Sequence, residues 1–402
     1  MLLSFALILL IGFTLSGIFQ KLRLPGLLGM LIAGVVLGPH ALNLIDSSIM
    51  NVSSDLREIA LIVILARAGL SLDIKDLKRV GRPAVLMCFV PATFEIVGAV
   101  LLAPALLGVT VIEAAIMGAM LAAVSPAIIV PKMLALMEKG YGLQKSIPQL
   151  VMAGASADDV YAIVLFTSFV GVAKGESFHV SSLLNIPISI LTGFAVGIGV
   201  GLVLVQVFRR IHMRDTVKIL LILGISFLFV GFEGAISSAV PFSGLLAVMA
   251  LGGTVLKMQE VVAKRVSGKF SKIWVAAELI LFVLVGAAVD IRYLYSAGPA
   301  AVLVILGALL FRAAGVYLSL IRSGLNAKEA LFCNIAYLPK ATVQAAVGAI
   351  PLAAGIAGGN VILSVAVLSI LVTAPLGAVG IDVTYQRLLR RGKEPISSAT
   401  VR

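Results

Sequence analysis

Apolar residues in this chain come in runs of about twenty, separated by short polar stretches, and an α-helix needs about that length to cross a hydrocarbon layer of about 30 Å. Segmenting the 402 residues on that length predicts thirteen helices, at 2–19, 24–38, 56–71, 83–106, 110–131, 146–173, 180–208, 216–232, 241–256, 270–290, 299–321, 327–350 and 360–380. The fold class expected is therefore an all-α polytopic membrane protein. The first run, MLLSFALILLIGF, lacks the basic start and small-residue cleavage site of a signal peptide, so it reads as a retained first helix.

Composition supports this reading. The chain is 60% hydrophobic and 12% charged, whereas a soluble domain carries about 25% charged residues. Too few charges remain to cover a water-facing surface, which excludes a soluble enzyme. Cys88 and Cys333 lie inside apolar runs, and His40, His179 and His212 are scattered in separate loops. A zinc or redox centre has no ligand set here, so no cofactor is expected.

The formal net charge is +12, and its placement says more than its size. Twenty-five of the 31 basic residues follow odd-numbered helices. Only Arg57, Lys174 and Arg292 follow even-numbered ones, while Arg67, Arg312 and Lys340 fall inside spans. Basic loops face the cytoplasm. The asymmetry thus predicts an outside N-terminus and a cytoplasmic C-terminus, with the lipid bilayer rather than nucleic acid as the partner. The short tail after helix 13 suits a bacterial inner-membrane protein.

The chain also repeats itself. Gly69 to Leu77, with Asp73, reads like Gly286 to Leu294, with Asp290, at an offset of 217. Gly26-Leu27-Leu28 with Gly34 matches Gly244-Leu245-Leu246 with Gly252 at 218, and Glu113-Ala114 matches Glu329-Ala330 at 216. Residues 1–173 (helices 1–6) and 211–380 (helices 8–13) then form two repeats. Helix 7, within 174–210, links them, and 381–402 is a cytoplasmic tail. Seven crossings separate equivalent helices, so the second repeat is inverted, an arrangement typical of secondary transporters.

Charges inside spans are costly and mark function. Asp158 and Asp159 are neighbours in the middle of helix 6. Their carboxylates suit a hard alkali cation, and two like charges in a low dielectric hold a proton more readily than one alone. Proton and cation are thus expected to compete for one site. A structural alternative pairs one aspartate with Lys340 and leaves the other neutral. Ser125-Pro126 and Pro131 are expected to interrupt helix 5, and Pro339 helix 12, in equivalent places. Unwound backbone at that depth must line a polar cavity or be buried, and Lys340 is expected to compensate the helix dipoles there. Ser125 and Thr342, beside the interruptions, complete the expected ion site; Gln344 and Glu278 are further candidates. Glu95 and Arg312 are 217 apart, which predicts a buried ion pair, structural or functional. Arg67 is expected to snorkel, and Glu233 to be solvated at the start of an outer loop.

With Val-Ser125-Pro126-Ala-Ile-Ile-Val-Pro131-Lys, Ala-Ser-Ala-Asp158-Asp159, Leu-Phe-Val-Leu-Val-Gly286 and Leu-Pro339-Lys340-Ala-Thr-Val-Gln-Ala-Ala, the chain resembles the two-aspartate branch of the cation/proton antiporter superfamily. The resemblance implies a dimerisation domain beside a six-helix core that moves like an elevator, and a homodimer. It also implies Asp159 as principal ion ligand, assisted by Asp158. In one respect the chain departs from the pattern: several electrogenic members have a lysine where Arg312 stands. Arginine does not shed its proton, so the proton-to-cation ratio stays open. The expected function is exchange of sodium or lithium for protons by alternating access. Two rivals are transport of an organic anion or bile-acid-like solute on the same architecture, and an intramembrane aspartyl protease. The protease needs facing aspartates on different helices, and these two share one.

Overall fold

The computed structural model describes residues 1–22, 24–71, 81–174, 182–233 and 242–391. Among the described residues, thirteen helical segments appear in the order the hydrophobic pattern predicts, with two further short α-helices at Ser47–Asn51 and Ile350–Ala353. The first three are α1 (Leu2–Lys21), α2 (Gly26–Leu37) and α3 (Ser53–Ser71). The fourth is split into α4a (Arg82–Met87) and α4b (Val90–Leu107), and the fifth into α5a (Val111–Ala122) and α5b (Pro126–Glu138). Then come α6 (Ile147–Ala173), α7 (Ser182–Arg210), α8 (Asp215–Gly231), α9 (Gly244–Met258), α10 (Glu260–Ala287) and α11 (Ile291–Leu320). The twelfth is split into α12a (Ala327–Ala336) and α12b (Thr342–Val347), and α13 (Gly359–Leu388) closes the series. No strand occurs among the described residues, and the helices make a polytopic membrane protein. Residues 73 and 179, singled out in the sequence, lie outside the described residues.

Capping fixes the starts of the two half-helices that lead into the interruptions. Thr110 accepts from the Glu113 N–H while Glu113 accepts from that of Thr110, and Asn326 and Glu329 repeat the device 216 residues later. Each box satisfies backbone donors that a helix start leaves bare. Glu113 then accepts from Gly358 N at 2.6 Å, and Glu329 accepts from Lys145 Nζ at 2.7 Å. Both capping carboxylates therefore also tie down a neighbouring segment.

Two bodies emerge from the packing. In one, α10 lies against α2 and α3, α9 against α3 and α7, and α1 and α8 cover the outside. In the other, α4b crosses α11, α5a lies against α4b and α6, and α13 supports α11 and α12a. Contacts recur with the sequence offset. Gly34 presses on the Val283 backbone and Gly286 on that of Leu31; Gly69 presses on Met249 and Gly252 on Gly69. Likewise Gly98 meets the Phe311 ring and Gly315 packs on Phe94. At each of these crossings a side chain would hold the helices apart.

Several expectations are corrected. α5b runs straight through Pro131; only Ala123–Ser125 interrupts helix 5, because Pro126 takes the first helical position, where its missing N–H costs nothing. Helix 4 has an unforeseen interruption at Cys88 and Phe89, just before Pro91. α10 starts at Glu260, ten residues early: polar residues extend the helix past the apolar layer, where Asp215 accepts from Arg265 at 3.3 Å. α13 runs to Leu388, into what reads as tail. Arg57 is no loop residue but lies buried in α3. Glu233 is half-buried and accepts from Gly244 N at 3.1 Å.

Candidate functional site

The two interruptions touch. Ser125 N donates to Pro339 O at 2.9 Å, so the unwound strands on either side of the crossing share a backbone hydrogen bond. At this point α5a ends with carbonyls that have no partner within the helix. Gln344 Nε2 donates to Met120 O and Ala123 O, each at 2.9 Å, and to Leu121 O at 3.4 Å. Arg312 Nη1 donates to Ala122 O. A cation and an amide thus face the negative end of the α5a dipole. Lys340, expected in that role, has its ammonium elsewhere: Nζ donates to Glu95 Oε2 at 2.7 Å. Its backbone N–H is held by Thr373 Oγ1 at 2.9 Å, from α13.

Glu95, Arg312, Lys340 and Asp158 form one buried chain of charges. Arg312 Nη1 donates to Glu95 Oε2 at 2.5 Å, and Arg312 Nη2 donates to Asp158 Oδ2 at 3.0 Å. The four side chains come from α4b, α11, α6 and the interruption before α12b, so the network ties together the elements of one body. Buried charges survive in a low dielectric only when they are paired and hydrogen-bonded in this way. Asp158 is thus paired with Arg312 and not with Lys340.

Asp159 has no ion pair among the described residues and is half-buried. Counted as formal charges, Glu95, Asp158 and Asp159 are three carboxylates against two cations, Arg312 and Lys340. Asp159 is the carboxylate of the three that has no cation paired with it among the described residues.

Four of the buried oxygens without a hydrogen-bond partner belong to residues expected at the ion site: Ser125 Oγ, Asp158 Oδ1, Asp159 Oδ1 and Gln344 Oε1. Two are carboxylate, one hydroxyl and one amide, a donor set suited to a small hard cation. Pro126, first in α5b, and Thr342, first in α12b and buried, frame this region. Glu278 is not part of it. It sits on α10 in the other body, where its charged neighbour is Arg67 of α3.

Sequence reasoning missed Tyr337 and Thr373. Tyr337 is the C-terminal cap of α12a, where helix 12 unwinds, and is fully buried, with the Arg312 guanidinium carbon 5.3 Å from its ring centre. An aromatic residue two positions before Pro339 was the available signal. Thr373 has a weaker one, a lone hydroxyl inside an apolar span.

The sequence profile of the family described as "Sodium/hydrogen exchanger, transmembrane" matches residues 5–385. Sodium/hydrogen exchanger 9B2 of Homo sapiens is 35% identical over 391 residues, covering 92% of this chain and 70% of that protein. Sodium/hydrogen exchanger 9B1 of Homo sapiens is 31% identical over 388 residues, covering 92% and 74%. Among solved structures, the sodium proton antiporter MjNhaP1 from Methanocaldococcus jannaschii at pH 8 superposes with a TM-score of 0.84 at 21% identity, over 96% of this chain and 97% of that one. The similarity to MjNhaP1 is one of fold, while the profile and the exchanger relatives extend along nearly the whole chain: this protein belongs to the sodium/hydrogen exchanger family.

Proposed function

We propose that the chain exchanges sodium or lithium for protons at a site built on Asp158 and Asp159, with Ser125 and Thr342 completing it and Gln344 Oε1 available as a further ligand. The observation that carries this reading is that Asp159 has no ion pair among the described residues while its own Oδ1, Asp158 Oδ1, Ser125 Oγ and Gln344 Oε1 are buried without a hydrogen-bond partner. One monovalent cation or one proton neutralises Asp159, so the two compete. An empty site keeps a net charge that is expensive to carry through a low dielectric. A neutral, loaded site crosses, and that difference couples the two flows.

The body of α4–α6 and α11–α13 holds this site. The other body meets it through α12b, which lies against α3 and α10. We read the first as the moving part and the second as the frame, with residues 1–173 and 211–380 as inverted repeats joined by α7. A homodimer through the frame, an outside N-terminus and a bacterial inner membrane belong to the same reading. In it, Pro126 and Pro339 keep the interruptions open. In this structure Lys340 and Arg312 hold Glu95 and Asp158, leaving Asp159 as the carboxylate with no cation of its own.

The test is a proteoliposome assay with an interior pH dye. Sodium or lithium added outside should drive proton movement in the parent protein, and Asp159→Asn should abolish it. Proton movement that persists in Asp159→Asn would overturn the proposed site. Uptake of an organic anion independent of Asp159 would favour the solute-transporter rival.

A further inference from the structure

We propose that Tyr337 is a positioning residue of the ion site, its hydroxyl donating to Asp158 in the part of the cycle in which Arg312 releases that carboxylate. The inference rests on the reading of Asp158 and Asp159 as the exchange site. Tyr337 is the C-terminal cap of α12a, so its backbone belongs to the unwound segment that crosses Ala123–Ser125. Its ring lies between two elements of the ion network. On one side is the Arg312 guanidinium, 5.3 Å from the ring centre. On the other, its hydroxyl rests on Gly154 of α6, where an added methyl group would collide with Oη. Gly154 is one helical turn before Asp158.

A phenylalanine would fill this space without penalty, whereas a buried hydroxyl is costly unless it finds a partner. Tyr337 Oη has none among the described residues, and neither has Asp158 Oδ1. The charged and titratable groups that act on the phenol are Asp158 on α6, Arg312 on α11, Cys88 after α4a and Cys333 on α12a itself. Of these, Asp158 offers a carboxylate oxygen with no partner. In the state described here, Asp158 Oδ2 is occupied by Arg312.

Arg312 also has somewhere to go. A cavity of about 190 Å³ adjoins Arg312 and Tyr337 between α11 and α12a, walled by Leu309, Val316, Ile335 and Leu338. Arg312 Nε is a further buried donor without a partner. A shift of the guanidinium toward this space keeps it over the ring while withdrawing Nη2 from Asp158. The tyrosine hydroxyl then takes up the carboxylate, and Asp158 keeps its orientation toward the cation.

Tyr337→Phe removes one oxygen and preserves the ring. In proteoliposomes it should raise the apparent KM for sodium at least fivefold while the maximal rate stays within twofold of the parent. Gly154→Ala keeps the tyrosine but pushes its hydroxyl off α6, and it should give the same split. An unchanged KM in both variants would overturn the assignment, as would a loss confined to the maximal rate. The outcomes separate from those of the parent reading. If Asp159→Asn is dead and Tyr337→Phe has the parental KM, only the role of Tyr337 fails; if Asp159→Asn is active, the ion site itself fails.

Discussion

Arg312 satisfies three acceptors at once, Glu95 Oε2, Ala122 O and Asp158 Oδ2. Lys340 Nζ satisfies Glu95 alone. That difference predicts unequal costs for removing either charge. Arg312→Met leaves Asp158 without its cation, Glu95 with Lys340 alone and Ala122 O without its donor, a loss of about 3–5 kcal/mol for a broken buried pair. Lys340→Met leaves Glu95 still held by Arg312, so its cost should be nearer the roughly 1–3 kcal/mol of one unmet hydrogen bond. Thermal unfolding of the two variants in detergent at one pH checks the order, and a Lys340→Met protein less stable than Arg312→Met would contradict it. The sequence made part of this network readable. Glu95 and Arg312 are related by the repeat offset, and equivalent helices of an inverted pair meet near their common axis. Nothing comparable pointed to Arg312–Asp158, because their separation of 154 residues follows from how α6 packs beside α11. The same holds for Gln344, whose role as a cap emerges only once α12b lies against α5a.

Among the helices, the glycine crossings carry the architecture. A methyl group at Gly34 would run into the Val283 carbonyl, whereas one at Gly199, on the outer side of α7, meets nothing within 4 Å. Gly34→Ala should therefore destabilise the protein by about 1–3 kcal/mol, the usual cost of overpacking. Gly199→Ala should be neutral or stabilising by up to about 1 kcal/mol, because alanine is the better helix former. Melting temperatures in one detergent report both, and equal shifts would mean that the α2–α10 contact is not limiting. Hydrophobic run length located the thirteen segments among the described residues, although α2, with 12 residues, and α9, with 15, fall short of the roughly 20 that a full crossing takes. It failed where helices leave the layer. The first ten residues of α10 are helical but polar, held by Asp215 against Arg265 and by an ion pair between Glu260 and Lys264. The count of basic residues set Arg57 with an outer loop, although in the fold it lies buried within the first turns of α3.

At the scale of the whole molecule, the question is how much charge crosses with each turnover. The buried network and Asp159 together hold three carboxylates and two cations, and arginine stays protonated under any accessible condition. With Lys340 also charged and held by Glu95, only the charge on Asp159 remains to be neutralised. One sodium ion brings this buried group of charges to zero, and so does one proton. Both loaded forms are then neutral, and exchange should be one for one. A transporter that moved one net charge per cycle would feel about 2.3 kcal/mol per 100 mV, which is about a 50-fold shift in the sodium gradient it can hold. For this chain the gradient at balance should follow the pH difference alone. Proteoliposomes clamped at zero and at 100 mV, inside negative, distinguish the cases: superimposable end points are expected. A shift approaching 50-fold would mean that a second proton leaves the network during the cycle, and Lys340 is the one cation in it able to release one.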